Sequence, residues 1–285
     1  MGSQSSAKFS RAYLILLPTA LWLAVFMLLP LLILLVYSLG SRNALGQIVL
    51  GFSFHNYARF LAGPYLAALG RSILLSGLTT LICLFVGSLF SIWLAFKIPS
   101  SKQQLFVTFL VAPLWTSFLL RIYAWMTILR PTGILTHFFH ILNWHEIPIL
   151  LYTPYAVLIG MVYNYLPYMI LPIYTAFEKL DRRLLEASAD LGATPAQTFF
   201  KVTAPLSSKG LVAGCVMVFV PALGDYVTPD LLGGAKTMYI GNLIQNQFLT
   251  VRDWAFGCAV STILILIVAI FVWIYLRYGE SEIAA

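Results

Sequence analysis

Hydrophobic positions fall along this chain in long runs, and between two of them, over 178–209, lies a polar, alanine-rich stretch. A helix needs about 20 apolar residues to cross a bilayer core of about 30 Å. Six segments reach that length, at about 12–39, 69–97, 104–129, 151–177, 209–228 and 254–276. The second and sixth contain no proline, whereas the fourth carries Pro167 and Pro172 and is predicted to kink. The first apolar run, 13–39, is too long for a signal-peptide core, carries Pro18 and Pro30, and has no clean cleavage site, so it reads as an uncleaved span. Short polar tails flank the spans at 1–11 and 278–285. Gly2 fits a myristoylation pattern within MGSQSS, but so short a match reads better as a plain polar tail.

Composition sharpens this picture. The 285 residues are 60% hydrophobic and 9% charged, against roughly 25% charged for a soluble domain. The mean hydropathy of +0.89 cannot be hidden in one soluble core, so the solvent is lipid. The net charge of +7 then speaks to topology and not to nucleic acid. With both termini on one face, that face holds Lys8, Arg11, Lys97, Lys102, Lys179, Arg182, Arg183, Lys201, Lys209 and Arg277. The other holds Arg42, Arg59, Arg71, Arg130, Lys236 and Arg252. Ten against six predicts cytoplasmic termini and a cytoplasmic 178–209 insert. The outer segments are then 40–68, 130–150 and 229–253, with Trp144, Tyr152, Tyr226, Tyr239 and Trp254 near the outer interface. Cys83, Cys215 and Cys258 lie in apolar runs without metal spacing and read as small core residues.

The insert predicts two short helices. LDRRLLEASADL (180–191) has helical composition, and Gly192 fits a left-handed stop. Thr194 then serves as an N-cap, Pro195 as the first helical residue and Gln197 as the reciprocal partner of a capping box. This second helix is expected to run to about Thr203 and stop before Pro205. Ala187, Ala189, Ala193 and Ala196 present little bulk, and Glu186 and Asp190, four apart, share a face that suits a basic partner. Read from physics alone, an interfacial hairpin that merely joins two spans is an equal alternative.

The stretch EASADLGATPAQTFFKVTAP resembles the EAA motif of ABC importer permeases: Glu-Ala-Ala, three residues, Gly, nine residues, then Ile-x-Leu-Pro. Glu186, Ala187, Gly192 and Pro205 match it, while Ser188, Val202 and Ala204 replace its Ala, Ile and Leu. Further stretches, WTSFLLRIYAW (115–125), LIGMVYNYLPYMILPIY (158–174), PDLLGG (229–234), IGNLIQNQF (240–248) and RDWAFG (252–257), are similar to permeases of spermidine/putrescine importers. The resemblance covers most of 71–277 and only loosely the first span. It implies an all-α integral membrane protein with six transmembrane helices of the type I ABC importer fold, its core domain over 69–277. It implies that the insert docks on a separate ATPase, with Glu186, Ala187, Ser188, Asp190, Gly192, Thr194, Pro195 and Pro205 in the contact. The implied partners are a second permease subunit, two ATPase subunits that bind ATP and Mg, and a substrate-binding protein outside a bacterial inner membrane. This chain itself carries no cofactor in that reading.

No catalytic constellation is visible in the sequence. LLGGAKT (231–237) lacks the spacing of a phosphate loop, and nucleophiles and bases are scattered. His137, His140, His145 and Glu146 are a loose cluster that reads as interfacial polarity before metal. Two charges in apolar surroundings draw attention, because an ionisable group at bilayer centre costs about 3 kcal/mol. Arg121 and Asp225 either pair, or Asp225 with Asp230 attracts an ammonium cation while Trp125, Tyr163, Tyr165 and Tyr226 offer cation–π faces. Arg121 points instead toward an anion or a structural role. The expected function is a non-enzymatic importer permease for polyamines. Its rivals are a same-class permease for an opine, amino-acid derivative, sulfate or iron, and a secondary transporter or channel, which would predict an internal repeat.

Overall fold

The structure, a computed structural model, describes residues 3–43, 47–141, 150–234 and 236–280. Gly2, Trp144, His145 and Glu146 lie outside the described residues, as does the side chain of His140. The chain divides into two compact units, 1–63 with 244–267 and 64–243 with 268–285.

The first unit opens with α1 (Ser3–Ser38), so the expected polar tail is already helical. Pro18 and Pro30 lie inside it, and its side chains from Leu17 to Ile33 are all exposed. The end of α1 is closed by side chains. Asn56 Nδ2 donates to the carbonyls of Ser38 (3.1 Å) and Gly40 (2.8 Å), which a helix end otherwise leaves open. Strands β1 (Ser41–Arg42) and β2 (Ile48–Val49) pair antiparallel, Ser41 opposite Val49. Helix α2 (His55–Ala62) follows. From it Arg59 reaches Asp253 at 2.8 Å and lies 4.1 Å over the Phe256 ring. Asp253 also accepts from the Phe256 N–H, capping the following helix.

The second unit is built on α3 (Tyr65–Ile92), α7 (Pro154–Glu178) and α11 (Ser208–Gly224), which pack pairwise against one another. Lipid tails are as apolar as the side chains, so close fit and not the hydrophobic effect holds such helices together. Small residues supply the fit. A side chain at Gly214 would meet Met169 Sδ at 2.7 Å, and one at Gly87 would meet Met169 Cγ at 3.0 Å. Ser76, Thr79 and Thr80 bond the carbonyls four residues back in α3, which keeps their hydroxyls satisfied in a buried face. Thr153 caps α7 ahead of Pro154, and α7 runs unbroken through Pro167 and Pro172.

Two of the expected spans are changed. The segment 104–129 is not one helix. A π-turn (Trp93–Lys97) follows α3, then come α4 (Ser100–Val111), a 3₁₀ turn (Ala112–Trp115) and α5 (Phe118–Leu129). The two arms meet at 91°. Pro113 withholds an N–H from the ladder, and Thr116 and Ser117 are extended. Helix α6 (Ile134–Ile141) continues this arm. The segment 209–228 ends early, at Gly224. Asp225 is extended, and α12 (Val227–Gly233) turns off before α13 (Ile240–Leu249) and α14 (Trp254–Glu280). At 17 residues, α11 rises about 25 Å, short of a full crossing alone. Among the described residues four helices are long and apolar enough to cross a membrane, or up to six if each bent pair is one span.

Candidate functional site

The insert folds as a capped hairpin. Asp181 accepts from the Arg183 N–H at 3.0 Å and starts α8 (Arg182–Asp190). Gly192 takes φ +80°, a conformation that costs glycine little, and Ala193 N–H returns to the Ser188 carbonyl. The capping box forms as expected: Gln197 N–H donates to Thr194 Oγ1 (3.3 Å), and Thr194 N–H donates to Gln197 Oε1 (2.9 Å). The second helix, however, does not stop before Pro205. From α9 (Pro195–Thr198) it passes through a π-turn (Phe199–Thr203) into α10 (Ala204–Leu206). A proline in a regular helix clashes with the carbonyl four residues back, and the wider i→i+5 turn just before Pro205 opens room for its ring.

A hydroxyl pair joins the two arms, Ser188 Oγ to Thr198 Oγ1 at 2.9 Å. The serine that departs from the motif is therefore used inside the hairpin, and it is buried. Glu186, Ala187, Asp190, Gly192, Thr194, Pro195 and Pro205 all face outward. Leu191 is 89% exposed and Phe200 72%. Exposed acids and bare apolar side chains are thus presented on one hairpin.

The second cluster gathers around Asp225. Its Oδ1 accepts from the N–H groups of Val227 (3.0 Å) and Thr228 (3.1 Å), so it caps α12. Its Oδ2 accepts from Thr228 Oγ1 (2.6 Å) and Tyr165 Oη (3.3 Å). Four donors occupy a carboxylate that has about four acceptor sites. The ion pair with Arg121 does not form. Arg121 lies 5.8 Å over the Phe118 ring, its buried Nε has no hydrogen-bond partner, and the salt bridge among the described residues joins Arg59 to Asp253. The cap supplies the reason: it spends the carboxylate on α12 and Tyr165.

The four aromatic residues do not make one cage. Tyr163 and Tyr165 are two apart, about 200° around α7. Tyr163 is exposed and meets Trp125 edge-on at 5.4 Å, while Tyr165 is buried with its hydroxyl on Asp225. Tyr226 is exposed, and its carbonyl accepts from Asn242 Nδ2, which also donates to Asp230 Oδ1. Thr228 and Asn242 were missed from sequence. The first had a signal, Asp225 followed three residues later by a hydroxyl ahead of a helix; the second had none. Of the loose histidine cluster only His137 has a described side chain, on the exposed side of α6, and no group of three ligand residues gathers among the described residues.

Comparison with known proteins joins both sites to one family. The chain is 41% identical over 257 residues to the spermidine/putrescine transport system permease protein PotB of Salmonella typhimurium, covering 90% of this chain and 89% of the relative. It is 40% identical to PotB of Escherichia coli, covering 90% and 93%. In fold it is similar to a bacterial ABC transporter involved in the import of the acidic polysaccharide alginate, with a TM-score of 0.74, 15% identity and 97% of each chain covered. The profile of the binding-protein-dependent transport system inner membrane components matches residues 60–278, a span that holds both the hairpin and the Asp225 cluster. The chain belongs to that family, the inner membrane components of binding-protein-dependent transport systems.

Proposed function

We propose that this chain is the permease subunit of an ATP-driven importer for polyamines such as spermidine and putrescine. The observation that carries the reading is the similarity to PotB at 40–41% identity over nine-tenths of the chain, together with the outward-facing hairpin. In this reading α4 with α5 is one span and α11 with the residues that follow it is another, which gives six spans with both termini cytoplasmic and leaves the hairpin outside the membrane. A second permease completes the path, two ATPase subunits with ATP and Mg dock beneath, and a binding protein delivers substrate from outside. Glu186 and Asp190 supply the charge at the ATPase contact, and Leu191 and Phe200 the apolar area. ATPase closure pushes the hairpin and reopens the path outward, and hydrolysis resets it.

The pathway role of Asp225 is a matter of charge. No cation neutralises its carboxylate among the described residues, so it makes the surrounding path favourable to an ammonium group. The Tyr165 bond, the longest of its four at 3.3 Å, is the one a polyamine nitrogen would displace. Asp230 and Tyr226, near Asp225 in the chain, add charge and an aromatic face to the approach, and Trp125 with Tyr163 offers a second aromatic pair on α5 and α7. An anionic solute is the second reading, and the unpartnered Nε of Arg121 favours it.

The test is reconstitution of the complex in liposomes, with ATP hydrolysis measured with and without binding protein loaded with spermidine or putrescine. Stimulation by the loaded protein supports coupling and substrate class together. An assembled complex indifferent to polyamines removes the substrate reading, and failure to hold the ATPase removes the coupling role.

A further inference from the structure

Where α3 ends, its backbone is left short of donors. Ala95 lies in the π-turn (Trp93–Lys97), and Pro99, four residues on, has no N–H to offer its carbonyl. Two side chains fill the gap. Gln103 Nε2 from α4 donates to the carbonyls of Ala95 (3.2 Å) and Ile98 (3.0 Å). Arg182 Nη2, from the first residue of α8, donates to the Ala95 carbonyl at 3.0 Å. Gln103 Oε1 in turn accepts from Tyr174 Oη of α7 at 3.1 Å. Gln103 and Tyr174 are buried. The end of α3, α4, α7 and the hairpin are thus linked through the Ala95 carbonyl and the Gln103 amide.

We propose that Arg182, bonded to the Ala95 carbonyl that Gln103 and Tyr174 brace, is the positioning residue through which hairpin motion reaches the membrane helices. This rests on the reading of the hairpin as the ATPase contact. Arg182 and Glu186 are four apart and lie on the same side of α8, so a push at Glu186 moves the guanidinium with little loss. A cavity of about 290 Å³ opens beside the guanidinium, and Glu178 lines it together with Phe96. When the hairpin shifts, Arg182 exchanges the Ala95 carbonyl for the Glu178 carboxylate. That gives the joint two arrangements, which a coupling element requires. The motif residues alone would dock the ATPase; this joint decides whether docking moves α3 and α7.

The test measures spermidine taken up per ATP hydrolysed by the whole complex in liposomes, with spermidine-loaded binding protein, alongside ATPase recovered by pull-down. For Arg182→Ala, pull-down and hydrolysis stay near wild type while uptake per ATP falls roughly threefold to tenfold. Arg182→Lys, which keeps one donor for the carbonyl, recovers most of the loss. An unchanged ratio overturns the proposal, and so does loss of the ATPase with Arg182→Ala, since Arg182 would then belong to the docking surface. Should Arg182→Ala not fold, Tyr174→Phe carries the test, with roughly a twofold fall expected and an unchanged ratio again overturning it. If the wild-type complex itself does not retain the ATPase, it is the docking reading that fails.

Discussion

The hairpin and the Asp225 cluster each centre on an acidic residue, and they treat it in opposite ways. Glu186 stands exposed on a helix whose own bonds are complete without it. Asp225 is half-buried and spends all its acceptor capacity on neighbours. A charge kept free at a surface is available to another chain. A charge bound into a helix cap shapes its surroundings and acts at a distance.

The largest effect expected is on the exposed charge. Glu186→Lys should cut ATPase recovery in a pull-down by at least roughly tenfold, since a like-charge contact costs several kcal/mol. Membrane insertion should be unaffected, and normal recovery would end the contrast between the two acids. At Asp225 two substitutions separate charge from cap. Asparagine still caps a helix, so Asp225→Asn should keep the thermal midpoint while lowering polyamine uptake. Asp225→Ala should lower both, with about 0.5–2 kcal/mol of stability lost with the cap. Equal uptake by Asp225→Asn and wild type would make the residue a cap and nothing more.

Arg59→Ala is the control, because its partner Asp253 is a buried acid that belongs to neither site. It should cost about 1–3 kcal/mol of stability, measured by thermal melting in detergent, as hydrogen bonds to charged groups do when one partner goes. Uptake per folded complex should hold. The smallest effect belongs to Thr194→Ala. Loss of the capping box costs about 1 kcal/mol, and hydrogen exchange should rise at Pro195–Thr198 and its flanks while the spans stay protected.

How far each region was legible follows from how local its bonds are. The capping box at Thr194 and Gln197 and the turn at Gly192 involve residues within a few positions, and they form as the sequence predicts. Pro205 defeated the same reasoning, because a π-turn that admits a proline has no simple pattern. The straight third span failed at Pro113, where a run of apolar residues said nothing about a 91° bend. Around Asp225, the sequence left open a pairing with Arg121 that the structure does not make. Two lone charges in apolar runs invite pairing, yet the carboxylate was already taken by Thr228, three residues away, and by Tyr165.

By itself the sequence determined the lipid-facing character of the chain, the position and capping of the hairpin, and membership of a permease family. Those rest on composition, on neighbours along the chain and on a motif of fixed spacing. The tertiary structure alone decided which apolar runs bend, which donors fill Asp225, and that Gln103, Tyr174 and Arg182 converge on the end of α3. The long-range bonds among these join groups up to 87 residues apart, and which donors reach a given acceptor is settled only when the helices pack.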